Sequence, residues 1–127
     1  MKPNELMIGD YVIRKNVPNE ILIVDTIDSI KDIVYLDLDG LGITEKLENI
    51  EPIPLTPEIL KRNFPSTTDW YFIGTDKFCF RIDKYKDKWD LYFGKDGKGT
   101  NLQIKISYVH ELQHALRLCG INKEIEI

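Results

Sequence analysis

The segment from Asp32 to Gly40, DIVYLDLDG, alternates apolar and polar positions: Val34, Leu36 and Leu38 point to one side of an extended chain, and Tyr35, Asp37 and Asp39 to the other. Period-2 patterning of this kind predicts a strand with one buried face. The flanking sequence repeats the signal in shorter pieces. LMIGDYVIRK brings a Gly-Asp entry before Tyr11, Val12 and Ile13, NVPN has turn chemistry, and EILIVDTIDS is rich in β-branched residues. The run GLGITEKLENIEPIPL supplies one or two more strands, with turns at Asp39-Gly40 and Leu41-Gly42, and Pro52 and Pro54 confine its end to an edge. Four or five short strands within about 50 residues predict a small barrel, for which an SH3-like barrel over residues 1–55 is the economical choice.

The period changes at TPEILKRNF. Thr56 is placed to cap a helix, Pro57 to occupy its first position and Glu58 its first turn, so a short helix is expected to link two halves over residues 56–66. Alternation returns in DWYFIG, KFCFRIDKY, KWDLYFGKDG and NLQIKIS, which predict four antiparallel strands. Their core face would gather Trp70, Phe72, Ile82, Trp89, Leu91, Ile104 and Ile106, and the opposite face Tyr71, Arg81, Tyr85, Tyr92 and Lys105. A last helix from Ser107 to Cys119, stopped by Gly120, is expected to cover that core face and complete a unit over 67–127. INKEIEI would end the chain as a short strand. The predicted class is α+β.

Composition fits a folded chain: 127 residues, 43% hydrophobic and 30% charged. No apolar run approaches the roughly 20 residues that span a bilayer, and the first residues lack the basic start and apolar run of a signal peptide, so a cytoplasmic protein without membrane contact is expected. Cys79 and Cys119 belong to no CxxC pair and are expected as buried thiols. The net charge of −4 argues against nonspecific nucleic-acid binding as the main role. It is unevenly spread. Residues 1–56 carry 5 Lys/Arg against 11 Asp/Glu, a net −6, while residues 57–127 carry 12 against 10, a net +2.

One catalytic signature is present. His110, Glu111 and His114 spell H-E-x-x-H, which on a helix places two zinc-ligating imidazoles on one face with a glutamate as general base. The helical period argues against that use. With Leu112 at 0°, steps of about 100° place Tyr108, Val109, Ala115, Leu116 and Cys119 within roughly 60° of it, and both histidines roughly 160° away, on the expected solvent side beside Arg117. No third histidine exists, and Arg117 and Gly120 stand where the extended motif requires glycine and histidine. The motif is therefore read as accidental, no metal or cofactor is expected, and no Ser/His/Asp or Cys/His set offers a catalytic alternative.

The Gly94–Thr100 stretch GKDGKGT lacks phosphate-loop spacing and reads as a hairpin turn. The tyrosine and basic face of the C-terminal sheet fits a protein contact or self-association, with nucleic acid as the alternative, since aromatics interleaved with cations can stack bases and neutralise phosphates. The edge strands of the first half offer a second contact surface.

Four stretches occur here in a familiar order: MKPNELMIGDYV, IEPIPLTPEIL, WYFIG…FCFRIDKYKDKWDLYFG and ISYVHELQHAL…CG. Together they resemble a family of small proteins encoded by prophages and mobile elements of gut anaerobic bacteria. The resemblance spans nearly the whole chain. It implies a mobile-element setting and no established activity. Family members tend to read LQNL where this chain reads LQHA, which would place asparagine at position 114 and break the zinc motif. The expectation is a non-catalytic accessory or interaction module.

Overall fold

The structure is a computed structural model. It describes residues 1–64, 70–74, 78–95 and 98–127, with the backbone alone for 70, 72–74, 78–80, 85, 93–95 and 98–103. The chain is α+β, with two antiparallel sheets and two α-helices among the described residues, and it divides into two compact units.

The first unit joins Met1–Pro54 to Tyr108–Asn122. Its strands are β1 (Tyr11–Arg14), β2 (Val17–Asp28), β3 (Ile33–Leu38), β4 (Leu41–Lys46) and β5 (Ile50–Pro52), in the order β4-β3-β2-β1-β5. The alternation of β3 works as the sequence predicts: Val34 and Leu36 are buried together with Leu6, Val12, Leu22, Val24, Leu47 and Ile50. Asp39 and Gly40 both take positive φ, 50° and 88°, and connect Leu38 to its partner Leu41. That is the two-residue geometry whose twist suits a hairpin, and it explains the Asp-Gly pair. The register of β2 against β3 shifts between Val24 and Thr26, so Asp25 sits at a bulge that bends the strand. Among the described residues no pairing joins β4 to β5, so this sheet does not close into a barrel by hydrogen bonding.

The last helix, α2 (Val109–Leu118), belongs to this first unit. The expected division into 1–55, 56–66 and 67–127 is corrected accordingly. The cause lies in the polar side of α2, whose Gln113, His114 and Arg117 make their hydrogen bonds to residues 9–11. An isolated bridge from Pro54 to Tyr108 and a 2.9 Å bond from the Val109 N–H to the Ile53 carbonyl fix its start.

The second unit is Leu55–Ser107 with Lys123–Ile127. Helix α1 (Pro57–Asn63) begins as the sequence predicts, with Thr56 Oγ1 accepting from the Ile59 N–H at 3.3 Å and proline in the first turn. It is part of this unit and not a link. Its buried Asn63 donates to the Glu126 carbonyl and accepts from the Glu126 N–H, both at 2.7 Å, so a side-chain amide holds the tail where a short strand was expected.

The sheet of this unit contains β6 (Trp70–Gly74), β7 (Phe78–Tyr85), β8 (Lys88–Lys95) and β9 (Lys98–Ile106), paired in that order. Its register overturns one expectation. Tyr71 pairs with Ile82 and Ile82 with Leu91, so Tyr71 stands on the face of the buried Ile82 and Leu91, whereas Phe72 takes the register position of Arg81 and Tyr92. Directly opposed residues share a face. The run WYFI is apolar at every position, so its own alternation carries no parity.

No helix among the described residues is long and apolar enough to cross a membrane.

Candidate functional site

The H-E-x-x-H helix shows what its polar stripe does. Asp10 is fully buried, and its carboxylate accepts three hydrogen bonds: the Met7 N–H at 2.7 Å and His114 Nε2 at 2.7 Å on Oδ2, and Arg117 Nη1 at 3.1 Å on Oδ1. The donor assignment at His114 follows from the ionised carboxylate, which has no proton to offer. Beside it, the Gln113 amide accepts from the Tyr11 N–H at 2.9 Å and donates to the Gly9 carbonyl at 3.1 Å, replacing a strand partner for backbone groups that would otherwise be unpaired. Gly9 itself has φ of +91°, and a Cβ there would stand 3.0 Å from Arg117 Nη2. Both the dihedral and the proximity of the guanidinium call for glycine.

The expectation that both histidines face solvent is therefore corrected. His110 is 5% exposed, stacks on the Tyr108 ring at 5.9 Å and meets the His114 ring edge-on at 5.5 Å. Burial holds its pKa below the usual value, with Asp10 and Glu111 pulling the other way, and among the described residues its Nδ1 has no hydrogen-bond partner. Glu111, which the zinc motif would use as base, accepts the Tyr108 N–H at 3.0 Å and caps its own helix. Among the described residues no group of three or more His, Cys, Asp or Glu side chains is arranged to hold a metal ion. Cys119 is a half-buried free thiol whose pKa burial raises, while the Cys79 side chain lies outside the described residues.

The candidate face of the second sheet is only partly assembled. Arg81 bridges Asp83 at 3.1 Å and lies over the Tyr92 ring at 4.6 Å. Lys105 follows Asp83 and Asp90 along one cross-strand row, and Asp90 is buried. Tyr71 is on the other face, edge-on to Trp89 at 6.1 Å. The Tyr85 side chain lies outside the described residues. A strip with Arg81 engaged by Asp83 and Tyr92, and with carboxylates beside Lys105, is a poor platform for stacked bases and phosphates.

A different surface stands out on the first unit. The register column Tyr11–Ile23–Asp37–Gly42 crosses four strands on the side opposite the core. Between this column and the loop before β1 lies an open groove of about 470 Å³, walled by Ile8, Ile23, Asp25, Asp37, Gly40 and Gly42. Ile8 is 68% exposed and Ile23 38%. Apart from their chain neighbours, no described residue comes within 4 Å of a Cβ built on Gly40 or Gly42, so both positions face open space. The loop carrying Ile8 is the loop that Asp10, Gln113, His114 and Arg117 hold in place. Sequence reasoning missed this groove and its support because residues 7–11 meet α2 across more than 100 positions. One signal was readable: a helix stripe of His, Gln, His and Arg at i, i+3, i+4 and i+7 lacks the Lys and Glu usual on a solvated face.

No family model, curated protein or solved structure matches the chain.

Proposed function

We propose that this chain is a non-catalytic interaction module, a cytoplasmic accessory protein of a phage or mobile element, that engages a protein partner through the outer face of its first sheet. The observation that carries this reading is the open groove flanked by exposed Ile8 and Ile23 on a rigidly held loop and a sheet. Isolated surface aliphatics are ordinary, but two that border one concavity, Ile8 on a loop held by the Asp10 carboxylate and Ile23 on a paired strand, are suited to a partner's side chains. The mobile-element setting rests on the family resemblance of the sequence. We further read the first unit as an SH3-like barrel left open at one seam. Support comes from the order β4-β3-β2-β1-β5, the bent β2 and the 3₁₀ turn Leu47–Asn49 between β4 and β5, features such barrels share.

The test is photo-cross-linking in extract of the source cells, with a benzophenone side chain at Ile8 and, as control, at Lys31. Adducts specific to Ile8 that disappear on adding the Gly42→Lys substitution are the expected result. Equal labelling from both positions, or labelling indifferent to Gly42→Lys, would remove the reading.

A further inference from the structure

The groove has a chemistry as well as a shape. Asp25 and Asp37 stand in its wall, and among the described residues neither side chain has an ion-pair or hydrogen-bond partner. Among the described residues no lysine or arginine lines it. The unit around it is acidic: Met1–Pro54 carries 5 Lys/Arg against 11 Asp/Glu, and Tyr108–Asn122 adds one of each. Three of those five cations, Lys2, Lys31 and Lys46, line a different hollow with Met1 and Leu47, and Arg14 is paired with Glu20 at 2.6 Å. The groove thus joins an aliphatic wall, Ile8 and Ile23, to two unneutralised carboxylates.

We propose that this groove binds a polypeptide segment in which lysine or arginine side chains alternate with aliphatic ones, the cations meeting Asp25 and Asp37 and the aliphatic side chains packing on Ile8 and Ile23. The proposal rests on the interaction reading above and adds the partner's chemistry. Complementary charge selects among partners and speeds encounter, while the aliphatic contact holds the segment in place. An acidic segment would bring like charges together over Asp25 and Asp37. A purely apolar one would desolvate both carboxylates without compensation. Gly42 gives a clean way to close the site, because it has an ordinary negative φ, open space where its Cβ would project, and an edge strand that tolerates lysine.

The experiment is an amide-resolved NMR titration of the full chain with three six-residue peptides that alternate isoleucine or valine with lysine, serine or glutamate. The lysine peptide is expected to shift the Ile8, Ile23, Gly40 and Gly42 amides, to bind about tenfold more tightly than the serine peptide at low salt, and to lose that advantage at high salt. Asp25→Asn with Asp37→Asn should remove the same tenfold and leave serine-peptide binding unchanged. Gly42→Lys, with an otherwise unchanged spectrum, should abolish binding. Serine or glutamate peptides binding as tightly at these amides would overturn the charge assignment and leave the interaction reading standing. So would silence from all three peptides while Ile8 cross-links persist. Shifts spread over other acidic surfaces and indifferent to Gly42→Lys would overturn the site. Dilution-dependent shifts at these amides in peptide-free protein, lost in Gly42→Lys, would make a second copy of the chain the occupant and overturn the proposal. Silence together with loss of the Ile8 cross-links would end both.

Discussion

Asp10 and His114 lie 104 positions apart in the chain and meet at 2.7 Å, Oδ2 to Nε2, with the carboxylate fully buried. Their contact joins the first strand's entry to the last helix. A buried carboxylate is tolerable only when its lone pairs are occupied, and here the Met7 N–H, His114 and Arg117 occupy them.

Removing the acceptor should therefore cost more than removing any one donor. Asp10→Ala leaves the Met7 N–H without its acceptor and Arg117 unpaired, and is expected to lower the unfolding free energy by about 3 kcal/mol or more. His114→Asn keeps a short donor near the carboxylate and should cost about 1 kcal/mol. Urea denaturation of both singles and the double variant gives the coupling directly. A double variant equal to the sum of the singles would mean that the contact contributes nothing of its own.

Gly9 tests the same network from the backbone side. With φ at +91° and Arg117 Nη2 3.0 Å from the position of a new methyl, Gly9→Ala should destabilise by about 1–2 kcal/mol. Adding Arg117→Ala should relieve only the steric share. Gly42→Ala, where nothing stands within 4 Å, should stay within about 0.5 kcal/mol of the parent. Equal thermal stability of Gly9→Ala and Gly42→Ala would show that the strain at Gly9 is absent.

These contacts also show how much of the architecture could be read along the chain. Strand β3 and the start of α1 were legible, because one rests on strict alternation and the other on Thr56, Pro57 and Glu58 in successive positions. The helical period sets His110 and His114 apart from Leu112 on α2. What lay opposite them was not legible, since a helical wheel orients a side chain relative to its own helix and says nothing about which segment arrives there. The face of Tyr71 failed for a different reason: Trp70 to Ile73 are apolar on both sides, so only pairing with Ile82 and Arg81 sets their parity. The groove at Ile8 needed three distant pieces, the loop before β1, the bulge at Asp25 and the open Gly42 position, and no local pattern marks their meeting.

His110 should leave a trace in the pH dependence of stability. Burial lowers its folded pKa, so as pH falls below the ordinary histidine value the unfolded chain takes up a proton that the folded chain resists. Stability from this group is complete above that value and is lost as pH falls towards the folded pKa. His110→Phe retains an aromatic ring against Tyr108 and cannot titrate. Its unfolding free energy should fall less steeply between pH 7 and pH 5 than that of the parent. Parallel slopes in urea titrations across that range would show that His110 does not contribute to the acid side of the stability curve.

Zinc provides the sharpest check on the five residues from His110 to His114. In the zinc-peptidase arrangement a metal held through His114 Nε2 would take the atom that donates to Asp10, with Glu111 beside it, where the carboxylate now holds the Tyr108 N–H. Capture through Nε2 breaks the Asp10 contact, and capture through Nδ1 keeps it, but either way the metal gains two imidazoles where a zinc site requires at least three protein ligands, and among the described residues no third is arranged to join them. Zinc added to protein purified without a histidine tag is expected to leave the thermal midpoint unchanged and to bind at well below one equivalent by elemental analysis. His114→Asn should not alter that content. Stoichiometric zinc, lost in His114→Asn and accompanied by a raised midpoint in the parent, would mean that Asp10 exchanges its hydrogen bonds for a metal, and would reopen the catalytic reading of the helix.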